Sequence, residues 1–246
     1  MLPDFKQKEI QYHHIEIPQK AVTIRVRDFD VGDVKDYLKR LGDDIKTNES
    51  AAFDLIYSCT HPDDINILSN LESYSIIYII LYLRRSTISE NYNYPHKCPH
   101  CEGIYPSYQV VNYFDKLHLS YSNRNAIEFE IDSKKIILNM KHISFKDAIA
   151  ENEMTEDKMI YYSIHSIVIE QNENVDLYEF ENISFEEFNI WMESNLNVNQ
   201  YLTLLNYIRD DKNKNYINII DKKDSCAYCG KSYDIIISDY NFFIMA

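Results

Sequence analysis

Near the start of the chain, apolar and polar residues alternate through Val22, Ile24 and Val26, the two-residue period of a strand with one buried face. The period then lengthens. Val34, Tyr37, Leu38 and Leu41 recur at helical spacing, which predicts a helix from about Gly32 to a stop at Gly42. ESAAFDLIYSC reads as a second short amphipathic helix. HPDDINILSNL reads as a third, opened by Pro62 and by two carboxylates that suit the positive end of a helix dipole. Leu71 to Ser86 is a strongly apolar helix that leaves through Arg84 and Arg85. Residues 1–88 are therefore predicted to form an N-terminal strand plus a helical cluster.

In residues 89–143, strand-like segments flank Cys98-Pro-His-Cys101, and a β ribbon is predicted in AIEFEID and KKIILNMKHI with its turn at Asp132 to Lys134. Residues 144–213 read as a helical insertion made of FKDAIAEN, TEDKMIYYSIHSIVIEQ, SFEEFNIWMESN and NQYLTLLNYIRD. Ser184 with Glu187 three positions on is a capping box for the third of these. Residues 214–246 read as strand, Cys226-Ala-Tyr-Cys229, and the C-terminal strand SYDIIISDYNFF. The fold class is α+β: helical clusters with short β ribbons and a zinc-ribbon-like four-cysteine site joining two distant CxxC knuckles.

Composition narrows the chemistry. A chain of 246 residues, 45% hydrophobic, can bury a sizeable core. Its four glycines give a phosphate-cradling loop almost nothing to be built from, so a nucleotide cofactor is not expected. The formal net charge of −14 repels phosphate backbones and anionic headgroups, which argues against nucleic acid and membrane as partners. The N-terminal sequence MLPDFKQKEI lacks the apolar core of a signal peptide, and IIYIILYL is far short of the roughly 20 residues a membrane span needs. A soluble protein kept in cytoplasm is expected. Twenty-one tyrosines match the codon bias of an AT-rich genome at least as well as they match a sticky surface.

Four of the five cysteines fall in two CxxC pairs, an arrangement closer to a metal site in a reducing compartment than to a disulfide framework. A two-residue gap lets a tight turn present two thiolates to one ion while backbone N–H groups bond the sulfurs, and Gly230 supplies freedom in φ after the second pair. Cys98, Cys101, Cys226 and Cys229 together make a closed tetrahedral shell for one structural zinc. An iron–sulfur cluster and separate redox thiols are the alternatives. The pairs lie 124 residues apart, but each doubling of a loop costs only about 0.6 kcal/mol, so a folded insertion is compatible with one shared ion. Cys59 reads as a small buried residue. His96 and His100, which flank the first pair, read as neighbouring imidazoles and not as ligands.

The GxSxG, HExxH, GxxxxGK[ST] and kinase signatures are missing, and acidic pairs such as Asp63–Asp64 and Glu186–Glu187 sit at helix starts, where they suit the dipole. A non-enzymatic protein without a small-molecule substrate is expected. The competing readings are a zinc-ribbon regulator binding transcription machinery or nucleic acid, and a cytoplasmic thiol-redox protein.

The order of features carries a resemblance. Leu2-Pro3, Ile17-Pro18, Val26-Arg27-Asp28-Phe29, the block LIYSCTHPDDINILSNLESYSIIYIILYLRRSTIS, both cysteine pairs and a tail ending Tyr240-Asn-Phe242-Phe243 follow one another over nearly the full length. This resembles the baseplate hub subunit and assembly protein family of T-even-type contractile-tailed bacteriophages. Its arginine-proline-phenylalanine motif corresponds to Arg27-Asp28-Phe29, with aspartate in place of proline. Its leucine-arginine, spacer, serine stretch corresponds to Leu83-Arg84 and Ser86, without the glycine that follows in the family. The resemblance implies a virion or assembly part, a structural protein whose partners are other baseplate or hub proteins, located in host cytoplasm during assembly and in the tail baseplate.

Overall fold

The alternating segment folds as a hairpin. β1 (His13–Glu16) pairs antiparallel with β2 (Thr23–Val26), and Ile15, Ile24 and Val26 turn inward, as the two-residue period requires. The computed structural model describes residues 10–18, 20–42, 45–121, 124–150, 154–172, 174–212, 216–223 and 225–237. Leu2-Pro3 and the apolar tail from Tyr240 lie outside the described residues. The chain divides into two compact units, one of Met1–His118 with Ile217–Ala246 and the other of Leu119–Tyr216.

In the first unit, α1 (Val31–Arg40) starts at an Asp30 cap that exchanges side-chain hydrogen bonds with Asp33, and it ends at an extended Leu41 instead of at Gly42. α2 (Ile45–Cys59) follows. The HPDDINILSNL segment makes a single 3-10 turn at Pro62–Asp64 and then α3 (Ile65–Ser69). Arg25 holds this turn to the hairpin: its backbone N and Nε donate to Asp64 Oδ2 at 2.8 and 2.9 Å, and Nη2 donates to Oδ1 at 2.8 Å. α4 (Ser73–Thr87) buries Ile76, Ile79, Leu81 and Leu83 completely, which explains its near-continuous apolar sequence. At its exit Arg84 is 2% exposed, stacked between Tyr92 and Tyr113. β3 (Tyr92–Lys97) and β4 (Ile104–Val110) form the ribbon around the first CxxC, and β5 (Leu117–Ser120) follows a 3-10 turn.

The second unit is a four-stranded antiparallel sheet with helices on one face. β6 (Ile127–Ile131) and β7 (Lys134–Met140) turn through Asp132 and Ser133, both at positive φ, as a tight two-residue hairpin demands. α5 (Phe145–Ala150) and α6 (Glu156–Tyr162) follow. TEDKMIYYSIHSIVIEQ, read from sequence as one helix, is a helix only to Tyr162. From there β8 (Ile164–Gln171) pairs with β7, and NENVDLYEF contributes β9 (Asn174–Glu179), which makes the sheet order β6-β7-β8-β9. The reading of this region as helical throughout is corrected in that respect. Ile164, Ile167, Val168 and Ile169 are β-branched, and a strand between two partners suits their stiff side chains better than a helix. α7 (Phe185–Asn195), opened by the expected Ser184–Glu187 capping box, and α8 (Val198–Lys212) complete a core around Leu138, Ile160, Ile164, Phe188 and Leu204.

The chain returns to the first unit as β10 (Tyr216–Lys223) and β11 (Tyr233–Ile237), which flank the second CxxC. They sit in a three-stranded sheet of order β11-β10-β5, with Ile219 opposite Ile237. Both are buried.

Candidate metal centre

The two CxxC segments fold as near-copies. Between β3 and β4, Cys98 N donates to Gly103 O at 2.9 Å and Glu102 N donates to Cys98 O at 2.9 Å. Between β10 and β11, Cys226 N donates to Lys231 O at 2.9 Å and Gly230 N to Cys226 O at 2.8 Å. Each closes a turn that leaves its fifth residue left-handed: Gly230 at φ 71° and Glu102 at φ 57°. Glycine meets that demand without a Cβ penalty; glutamate does not. Within each turn a backbone amide points at the leading sulfur, His100 N to Cys98 Sγ and Tyr228 N to Cys226 Sγ, each at 3.4 Å.

The turns face each other. The sulfurs of Cys98, Cys101, Cys226 and Cys229 all lie within 4.8 Å of one another, with 3.9 Å between Cys98 and Cys229 and 3.7 Å between Cys101 and Cys226. None is in a disulfide. Four thiolates about 2.3 Å from one central ion would stand about 3.8 Å apart at the corners of a tetrahedron, so this cage has the dimensions of a single-ion site. Cys98 and Cys226 are buried, while Cys101 and Cys229 reach the surface.

Sequence reasoning missed the aromatic frame that brings the turns together. Tyr105 on β4 donates its hydroxyl to Cys226 Sγ at 3.2 Å and accepts from Ala227 N at 2.6 Å. His96 stacks on the Tyr105 ring at 4.6 Å, its Nε2 meets the Tyr233 hydroxyl at 2.7 Å, and Lys223 Nζ lies 4.7 Å from the ring centres of both Tyr105 and Tyr108. Tyr108 and Lys116 both reach Asp221, at 3.0 and 2.8 Å. His96 is thus a neighbour of the cage, and burial lowers its pKa below the usual histidine range. Gly103 lies against Tyr228 so closely that a Cβ there would meet the ring at 2.3 Å. The one signal of this frame in the sequence is the density of Tyr around both pairs and of His beside the first.

Electrostatics distinguish the thiols. Burial pushes Cys226 up, but hydrogen bonds from the Tyr105 hydroxyl and from the Tyr228 and Cys229 amides outweigh it and lower its pKa to about 6. Cys101 receives a backbone hydrogen bond that lowers it, yet burial and its hydrogen bonds to the neighbouring sulfurs push it up to about 12. Four ionised sulfurs this close repel one another unless a cation sits among them. Cys59 stands apart, fully buried beside Arg27 and Asp33, and burial pushes its thiol up to about 12.

A family model described as T4 bacteriophage base plate protein matches residues 9–245. The chain belongs to that family. Neither a curated protein nor a solved structure matches it. The match unites the cysteine cage with the N-terminal helices in one protein of the phage baseplate. The two short motifs singled out in the sequence meet in this fold: Ser86 Oγ donates to Asp28 Oδ1 at 2.6 Å, and His13 Nε2 reaches the same oxygen at 2.9 Å. Burial raises Asp28, but these hydrogen bonds bring its pKa below the usual value. Arg27 forms a two-pronged pair with Asp33 at 2.6 and 2.9 Å, and Phe29 and Leu83 are buried. Asp28 therefore makes a polar tie between the hairpin and α4. Among the described residues, no helix is long and apolar enough to cross a membrane.

Proposed function

We propose that this protein is a non-enzymatic structural or assembly component of the central hub of a contractile-tail baseplate, stiffened by one structural zinc held by Cys98, Cys101, Cys226 and Cys229. The observation that carries the baseplate part is the family match over nearly the whole chain. The four-sulfur cage supports the metal part. Thiolate is the donor that suits zinc, and its spacing fits one ion, whereas a cluster inserts several atoms among the thiolates and spreads them further apart. When bound, zinc supplies a cross-link between the two turns. The chain's own residues do the rest: the turn amides and the Tyr105 hydroxyl hold the thiolate charge, and the His96–Tyr233 pair fixes β11 against the β3–β4 ribbon. With all four positions filled by protein no position remains for water or substrate, so the site is structural. Its partners are other baseplate or hub proteins, met in host cytoplasm during assembly and in the virion tail.

The test is a phage whose copy of this gene is deleted and supplied in trans. Wild-type protein should restore contractile tails, and a Cys98→Ser/Cys226→Ser chain should leave heads and free tail parts with few complete baseplates, as seen by electron microscopy. Normal tails with a defect confined to gene expression or DNA replication would instead favour a regulator.

A further inference from the structure

β9 ends the second unit's sheet, so among the described residues one side of its backbone has no neighbouring strand. All six of its residues are exposed, among them Val175 at 64%, Leu177 at 58% and Tyr178 at 47%. Proteins ordinarily protect such an edge by keeping it short, charged or covered. Here the face that carries Tyr178 continues into a groove of about 270 Å³, lined by Ile167, Ile169, Tyr178, Ile183, Phe188 and Trp191 between the sheet and α7. We propose that β9 is a docking edge to which a partner protein adds an extended, basic segment as a fifth strand.

Charge selects the occupant. Residues 119–216 carry 18 acidic against nine basic side chains, and so hold −9 of the chain's −14. Asp176 and Glu179 lie on β9 itself, Glu181 follows it, and Glu187 stands at the rim of the groove. A second copy pairing through β9 would bring these carboxylates against their equivalents, an arrangement that like charges across strands disfavour. A basic strand meets no such penalty. The register also fixes a pattern. Asp176 and Tyr178 are opposite Ile169 and Ile167, so they share the helix-covered face, while Val175, Leu177 and Glu179 share the other. An added antiparallel strand that matches both faces reads Lys-Val-Val-Lys-Val: lysines opposite Glu179 and Asp176, and an apolar residue opposite Tyr178 that enters the groove. Main-chain hydrogen bonds give such docking its affinity, and alternate side chains give it specificity.

The inference deepens the assembly reading by naming the kind of partner, but its test does not need that reading. The full-length chain is mixed with a capped peptide containing Lys-Val-Val-Lys-Val, or with the same peptide carrying glutamate for lysine, and backbone hydrogen exchange is followed by mass spectrometry. The lysine peptide should slow exchange at residues 174–179, less so at high salt, and the glutamate peptide should not. Asp176→Lys/Glu179→Lys should weaken binding of the lysine peptide roughly tenfold and favour the glutamate peptide. Val175→Lys/Leu177→Lys, at exposed positions that leave the fold intact, should abolish binding. Equal protection by both peptides, protection by neither, or protection that instead grows with chain concentration alone would overturn the proposal. A failure of the baseplate reading would be seen separately, in tail assembly by the phage.

Discussion

Arg84 buries a positive charge at the point where α4 hands the chain to the first cysteine-bearing ribbon, and replacing it should loosen that ribbon. Its guanidinium lies 5.1 and 5.2 Å from the ring centres of Tyr92 and Tyr113, and Nη1 donates to the carbonyls of Ser89 and Asn91 at 3.1 Å each. Arg84→Met keeps most of the volume and removes the charge. Two desolvated cation–π contacts at about 1–2 kcal/mol each are lost. Two half-buried carbonyls lose a charged donor, at about 1–3 kcal/mol each. Against this, the charge no longer has to be desolvated, which returns several kcal/mol. The net is a destabilisation of about 2–4 kcal/mol, the upper range for a point change. Arg84→Lys retains charge but loses the planar fork that stacks on both rings and reaches both carbonyls, so it should recover less than half. Because Tyr92 opens β3 and Cys98 follows its end, amide exchange across Tyr92–Lys97 is the informative readout. It should accelerate roughly a hundredfold in Arg84→Met. Exchange within threefold of wild type in both variants would refute the reasoning.

Asp64 gives a pH-dependent prediction. The hydrogen bond from Arg25 outweighs burial and lowers its pKa from 3.8 to about 2. Its contribution, about 2 kcal/mol, is therefore full above the unfolded-state pKa and disappears as pH falls from about 4 through 2. Asp64→Asn should be less stable than wild type at pH 7 and approach it by pH 2 in urea unfolding, the difference between the two chains cancelling any shared loss of metal; a gap that persists at pH 2 would contradict this. Tyr105→Phe removes the hydroxyl that donates to Cys226 and accepts from Ala227 N, and should cost about 1–3 kcal/mol and speed transfer of the metal to a chelator. Unchanged transfer kinetics would show that the hydroxyl does not act on the thiolate. Cys59→Ser should leave metal content unchanged, and in the native chain the Cys59 thiol should resist alkylation at neutral pH, because burial keeps it protonated. Native mass spectrometry checks the first and mass spectrometry of alkylated peptides the second.

Features written in local spacing were legible in the sequence. The Ser184–Glu187 capping box, the turn at Asp132 and Ser133, the apolar α4 and the glycine at position 230 all depend on residues a few positions apart. The approach of Cys98–Cys101 to Cys226–Cys229 was legible for a different reason: thiolate chemistry prescribes four donors, so two pairs suggest each other across any loop. What failed needed tertiary partners. Ile164 to Gln171 can satisfy helical or strand periodicity, and only pairing with β7 and β9 decides between them. Glu102 carries no mark of its left-handed backbone, since the demand comes from the turn and not from the side chain. The Tyr105, His96 and Tyr233 frame joins residues over a hundred positions apart, and a tyrosine-rich composition conceals which of the rings matter.

Metal content of the full-length chain, measured by native mass spectrometry at neutral pH and joined to X-ray absorption at the zinc edge, tests the proposed centre most directly. One zinc per chain is expected, with four sulfur neighbours at about 2.3 Å. The metal should disappear, and stability fall, when Cys98, Cys101, Cys226 or Cys229 is replaced by serine. A folded chain without metal, or a zinc that survives the loss of all four cysteines, would contradict it.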